Sequence, residues 1–145
     1  MNNFIDKDLI ELIVQGRIGR KLFIEVLQSN HIGEISEIKE YLRDVFIEYV
    51  NDIVEDHHIS DEEVSKATKL KLLFEIREGE LYAHKFSEIQ EILHKQFSYF
   101  MIDGEISPLE ELQKVNLQDL FDLGYDQYLK FYNDFKTTGT DKNFQ

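Results

Sequence analysis

Residues that interrupt helices are scarce in this chain. Of its 145 residues, one is proline, Pro108, and seven are glycine. Since proline and glycine are the residues that cost most in a helix interior, few positions forbid a helix. The apolar residues of segment 34–55 recur every three or four positions, as one face of a helix requires, and no segment shows a comparable alternation with the period of two typical of a strand. The sequence therefore predicts an all-α protein without a sheet.

A bundle of about seven helices accounts for the hydrophobic pattern. The predicted bounds are 6–15, 19–29, 34–55, 61–77, 87–101, 108–123 and 126–136. A chain of 145 residues has the size of one ordinary domain, so we assign residues 1–136 to a single helical domain. Residues 137–145 contain one apolar side chain, Phe144, and are predicted to form a flexible C-terminal tail.

Local signals mark several helix ends. In a capping box, a serine and the side chain three residues later satisfy backbone amides at a helix start. Three pairs have this spacing: Ser60 with Glu63, Ser87 with Gln90, and Ser107 with Glu110. Gly124 stands where a left-handed C-terminal cap would end the helix that begins near Pro108.

The chain contains an internal repeat. The segment Asp-His-His-Ile-Ser at 56–60, followed by Glu63, aligns without gaps on Asp-Gly-Glu-Ile-Ser at 103–107, followed by Glu110, an offset of 47 residues (56 to 103). A helix, an Asp-x-x-Ile-Ser loop and a second helix thus occur twice. We expect residues 45–76 to superpose on 92–123 about a pseudo-twofold axis, with Ile59 and Ile106 packing the two loops together.

The loops allow two interpretations. Asp-Gly-x-Ile-Ser-x-x-Glu matches the second half of a calcium-binding EF-hand loop, but Tyr99 and Met101 occupy the first two ligand positions of that motif. In one interpretation the aspartates close turns and the glutamates complete capping boxes. In the other, a weak divalent-cation site uses Asp103 with Glu110, or Asp52 and Asp56 with Glu63.

The repeated loop resembles that of the tellurite-resistance TerB-like helical domains, which carry a tandem Asp-Gly-x-Ile/Val-x-x-x-Glu motif in an acidic all-α chain. The resemblance covers residues 45–124, and Asp103, Gly104, Ile106 and Glu110 match the motif. In the first copy, His57 stands where the family favours glycine. The resemblance implies a non-enzymatic helical module of bacterial stress and conflict systems with acidic, divalent-cation-linked sites. A second similarity, confined to residues 103–110, is to the colicin-type immunity proteins, which are small, acidic and helical.

Charge and composition exclude several function classes. With 29 acidic against 16 basic side chains, the net charge of −13 opposes direct binding to nucleic acid or to an anionic membrane. The absence of cysteine excludes disulfides, thiolate metal sites and cysteine nucleophiles. No transmembrane segment or secretory signal is evident, so we expect a cytoplasmic protein. No catalytic motif of high specificity is present, so we predict neither an enzyme nor a resident cofactor.

Two segments suggest a binding surface. Residues 34–63 contain 11 acidic and two basic side chains, and several of the carboxylates recur three or four residues apart on the face opposite the apolar stripe. The sequence also concentrates five aromatic residues between positions 125 and 135. The predicted partner-binding residues are the steering charges Glu48, Asp52, Glu55 and Asp56 and the aromatic anchors Tyr125, Tyr128 and Tyr132.

These observations lead to a functional hypothesis and an alternative. The hypothesis is a non-enzymatic acidic protein that masks or inhibits a basic, toxin-like or nuclease-like protein partner, because concentrated charge of one sign steers and selects opposite charge. The alternative is a TerB-like stress module that responds to a divalent cation bound by Asp103 and Glu110.

Overall fold

Helices dominate the structure, a computed structural model that describes residues 4–102, 105–106 and 108–143. The described residues form eight α-helices. They are α1 Lys7–Val14, α2 Arg20–Ser29, α3 Lys39–Ile53, α4 Asp61–Leu73, α5 Glu80–His84, α6 Phe86–Phe100, α7 Pro108–Phe121 and α8 Tyr125–Asn143. Short 3-10 turns at Ile35–Ile38 and Val54–Asp56 flank α3. The predicted all-helical class is confirmed, and the single helix predicted over 34–55 consists of α3 and these two turns.

Three details of the prediction are wrong. Helix α5 was not predicted, because its five residues are too few to show a helical period. A sheet is present, although it is minimal: Met101–Ile102 pairs antiparallel with Glu105–Ile106. Helix α8 continues to Asn143, beyond its predicted end at residue 136, while the flexibility of residues 137–145 stays a prediction.

Of the predicted helix caps, one is confirmed, two are wrong and one lies outside the described residues. The Ser60 hydroxyl accepts a hydrogen bond from the Glu63 amide at 3.1 Å, and the Glu63 carboxylate accepts one from the Ser60 amide at 2.9 Å, which confirms that capping box. Ser87 caps nothing, since α6 already begins at Phe86. The Ser107 box lies outside the described residues. The left-handed residue after α7 is Asp122, with φ of 55°, and not Gly124.

The helix bounds have the spacing of the predicted repeat. Helices α3 and α4 begin 47 residues before α6 and α7 (39 to 86 and 61 to 108). Glu75 and Asp122, which are separated by the same interval (75 to 122), both adopt positive φ after their helices, at 56° and 55°. The superposition of residues 45–76 on 92–123 and the pseudo-twofold axis stay predictions.

Helices α3, α4, α6 and α7 each contribute to the core. Phe46, Phe74, Phe97 and Phe121, each from one of these helices or from its C-terminal end, are fully buried. Ile59 in the first loop is also buried, as predicted, whereas the side chain of Ile106 lies outside the described residues. None of the described helices is long and apolar enough to cross a bilayer.

Helix α7 holds the first loop in place. The Ile59 amide donates a hydrogen bond to Gln113 Oε1 at 2.5 Å, and the Ile59 carbonyl accepts one from Asn116 Nδ2 at 2.9 Å. From α6, the buried Gln96 donates to the Val54 carbonyl at 3.1 Å. The loop after α3 therefore has a fixed position relative to the acidic face of that helix.

Candidate functional site

The outer side of α3 and the turns before and after it carry a row of carboxylates. We call this row the acidic ridge. Its members are Glu37, Glu40, Asp44, Glu48, Asp52, Glu55 and Asp56, and all of them are exposed. The opposite side of α3 is fully buried through Leu42, Phe46 and Val50. The predicted exposure of the steering charges Glu48, Asp52, Glu55 and Asp56 is therefore confirmed.

The ridge contains no basic side chain because the two cations of α3 form ion pairs with Glu80 of α5. Lys39 Nζ lies 3.2 Å from Glu80 Oε1, and Arg43 Nε lies 2.7 Å from Glu80 Oε2. Burial alone would raise the pKa of Glu80, but the hydrogen bonds from these two cations and from the Arg77 amide outweigh it and hold the pKa below its ordinary value. This network ties α3 to α5 and leaves the outer side of α3 without a basic side chain.

Most of the ridge carboxylates have no cationic partner in the part of the chain that the structure describes. Asp44 is the exception, since it pairs with Lys85. The hydrogen bond to Asp44 is the main cause that raises the pKa of Lys85, with burial opposing it. Glu48, Asp52 and Glu55 are thus available to an external partner.

A groove lies between the ridge and the N-terminal helix. Its volume is about 610 Å³. The lining residues are Ile5, Asp6, Lys7, Ile10 and Glu11 from the first helix and its approach, and Tyr41, Asp44, Val45, Glu48, Tyr49 and Asp52 from α3. We call it the α1/α3 groove. Two of the predicted partner-binding residues, Glu48 and Asp52, lie along it.

Two tyrosines of this groove have distinctive surroundings, one through a hydrogen bond and the other through a raised pKa. The Tyr41 hydroxyl accepts a hydrogen bond from the Ile5 amide at 3.0 Å, which fixes the entry of the chain into α1. Burial, together with the nearby carboxylates of Glu11 and Glu63, raises the pKa of Tyr49 to about 12. Burial and the negative charge around Tyr49 therefore disfavour a further anion at this point of the groove.

Two of the three predicted aromatic anchors are misplaced. Tyr128 is 1% exposed and Tyr132 is 8% exposed, so neither presents a surface to a partner. Both rings pack edge-on against Phe97 of α6. The sequence alone did not predict this contact, which buries one aromatic face of α8 in the core. Tyr125 is 54% exposed and stays available.

A different exposed aromatic residue lies beside the end of the acidic ridge. Tyr99 is 48% exposed, and its ring stacks on the imidazole of His57, which directly follows Asp56. The centroids lie 4.1 Å apart and the planes differ by 9°. Tyr99 does not belong to the apolar stripe that Phe97 and Phe100 continue. The helical period thus contained a signal for its exposure.

The carboxylates of the first Asp-x-x-Ile-Ser loop make local hydrogen bonds. Asp56 Oδ1 accepts a hydrogen bond from the His58 amide at 3.0 Å, which closes a turn, and Glu63 serves the capping box. Among the described residues no group of three or more His, Asp or Glu side chains is arranged to hold a metal ion. Asp103 and the side chain of Glu110, predicted as ligands in the second loop, lie outside the described residues.

Comparisons with protein-family models, with curated proteins and with solved structures found no match to this chain. The resemblance to TerB-like domains and to immunity proteins therefore stays a prediction based on the loop motifs.

Proposed function

We propose that this protein is a non-enzymatic binding protein that masks a basic surface of a protein partner. The observation that carries the proposal is the acidic ridge, whose carboxylates at Glu48, Asp52 and Glu55 are exposed and not neutralised within the described residues. Like charges three or four residues apart on a helix repel one another by a few tenths of a kcal/mol per pair. A basic partner relieves this repulsion when it binds.

The class of partner follows from the charge of the ridge and from the exposed aromatic residues of the molecule. A surface rich in lysine and arginine, of the kind with which a nuclease-like toxin holds phosphate, complements the ridge in sign and is attracted over a distance of about one Debye length. Tyr99 and Tyr125 offer exposed aromatic rings of the type enriched in protein interfaces. Tyr99, which is held in place by its stack on His57, is the better preorganised of the two.

The test is a triple substitution that removes charge and keeps shape. We expect Glu48→Gln, Asp52→Asn and Glu55→Gln together to leave the melting temperature equal or higher, because repulsion along α3 is relieved. With a partner captured by affinity pull-down from the native lysate, stopped-flow association at low salt is expected to slow by roughly tenfold and to lose much of its salt dependence.

A matched control removes the same number and type of charges elsewhere. Glu25→Gln, Glu78→Gln and Asp126→Asn change three exposed carboxylates that lie outside the ridge and the α1/α3 groove. We expect this control to bind nearly as fast as the wild type. An unchanged association rate in the ridge variant, or an equal loss in both variants, would show that the ridge is an ordinary solvated helix face.

A further inference from the structure

The α1/α3 groove has the length of a short helix. Helices α1 and α3 both pack on α4 rather than closely on each other, which leaves a channel between them. The residues of α3 that line the groove extend from Tyr41 to Asp52. At about 1.5 Å per residue this is roughly 17 Å, or about three helical turns.

The chemistry of the groove is divided between its floor and its rims. Ile5, Ile10 and Val45 supply apolar surface along the channel. Asp6 and Glu11 stand on the α1 side, and the α3 side carries Asp44, Glu48 and Asp52. Among the described lining residues Lys7 is the only cation. An occupant therefore meets an apolar strip with negative charge on both sides.

We propose that the α1/α3 groove binds one amphipathic helix of about three turns, whose apolar stripe is flanked on both sides by lysine or arginine. This inference rests on the proposed function, since it specifies which element of the basic partner binds beside the acidic ridge. Two-sided charge complementarity selects cations on both edges of the stripe, and the apolar floor gives a helix an advantage over an extended polycation. Binding of an amphipathic helix in a groove between helices is a recurrent mode of recognition.

The contacts follow from the lining residues. The apolar stripe of the bound helix covers Ile10 and Val45, and its cations reach Glu11 on one rim and Glu48 on the other. Tyr49 lies between Val45 and Asp52 along α3, where its hydroxyl stays protonated at neutral pH and is able to donate a hydrogen bond to the bound segment. An acidic helix is excluded by five carboxylates along the channel.

The experiment compares two synthetic probes on the full-length protein. The first is a leucine and lysine peptide of about 15 residues whose leucines recur at helical spacing, and the second has the same composition in scrambled order. By fluorescence anisotropy we expect the amphipathic probe to bind at least tenfold more tightly than the scrambled one. In the wild-type protein, its amide shift changes in NMR spectra are expected to centre on Ile5, Ile10 and Val45.

An uncharged substitution that blocks the groove distinguishes the contribution of its shape to binding from the contribution of its charge. Ile10→Trp fills the channel without changing charge, and Leu12→Trp places the same side chain on an exposed position of α1 that does not line the groove. We expect Ile10→Trp to weaken the amphipathic probe at least tenfold and leave the scrambled probe unchanged, whereas Leu12→Trp alters neither. If Ile10→Trp does not fold, the NMR map on the wild-type protein decides the location.

The outcomes distinguish this inference from the proposed function. Equal affinity for both probes, with both weakened in the triple ridge variant, would overturn the helix-binding groove and keep the acidic binding surface. Shift changes confined to residues outside the groove would have the same meaning. Failure of both probes to bind at low salt would overturn the groove and count against the proposed function as well.

Discussion

His57 and Tyr99 form a stacked pair that joins the turn after α3 to the end of α6, with ring centroids 4.1 Å apart. The backbone of His57 has a positive φ of 60°, and its Nδ1 lies 3.4 Å from the Oε1 of the buried Gln96. One face of the Tyr99 ring is thus covered by the imidazole, and the residue stays 48% exposed. A positioned aromatic ring of this kind is suited to contact a cationic side chain of a partner.

Removal of the Tyr99 ring is expected to weaken partner binding without unfolding the protein. We expect Tyr99→Ala to lower the affinity for the basic partner by roughly five- to tenfold, which corresponds to about 1 to 1.4 kcal/mol. Isothermal titration calorimetry measures this change. Tyr99→Phe is the control, since it keeps the ring and is expected to bind like the wild type. Wild-type affinity in Tyr99→Ala would exclude this residue as an anchor.

A charge at position 59 is expected to destabilise the fold strongly. Ile59 is 1% exposed, and its backbone is held by Gln113 and Asn116 of α7. Ile59→Asp places an unpaired carboxylate at this contact, so we expect a loss of about 4 kcal/mol or more in the free energy of unfolding. Ile59→Val is expected to lose only about 1 kcal/mol. Urea denaturation compares the two, and wild-type stability in Ile59→Asp would show that the loop does not pack as described.

The Glu80 network is expected to give the protein an acid-sensitive contribution to stability. The side chain of Glu80 is 12% exposed and is held by Lys39 and Arg43. Because these partners lower its pKa in the folded state, the contribution is present above the pKa of the unfolded carboxyl and is lost as pH falls through the folded value. Glu80→Gln is therefore expected to cost about 2 kcal/mol at pH 7 and much less near pH 3.

The control for this pH dependence is Glu78→Gln, which removes an exposed carboxylate two residues away. Urea denaturation at both pH values is expected to show almost no effect of Glu78→Gln. A cost of Glu80→Gln that is the same at pH 7 and at pH 3 would contradict the role of its charge.

The acidic ridge and the buried side of α3 were predictable from the sequence. The spacing of Leu42, Val45 and Tyr49 places them on one side of a helix, which requires Glu48 and Asp52 to face away from it. This inference needs only the geometry of one helix. The capping box of Ser60 and Glu63 is local in the same sense, since its two residues are neighbours in the chain.

The places of the aromatic residues were decided by tertiary contacts. Helix α8 contains more aromatic residues than a single buried stripe would need, so its sequence does not show which of them are buried. In the structure, Phe97 of α6 packs against both Tyr128 and Tyr132. Tyr99, by contrast, stays at the surface because its position on α6 points away from this core. Which aromatic side chains of α8 are buried depends on α6, about 30 residues earlier in the chain, and the period of α8 alone contains no information about that contact.

The sequence by itself determined the helical class, the charge of the molecule and the side of α3 that faces solvent, because these follow from residue type and from the period of a helix. Only the tertiary structure decided that Lys39 and Arg43 turn to Glu80, so that the outer side of α3 is purely acidic. It also placed α1 beside α3 across a channel, by packing both on α4. A groove is a property of the space between helices, and that space is set by which side chains fill the core beneath them.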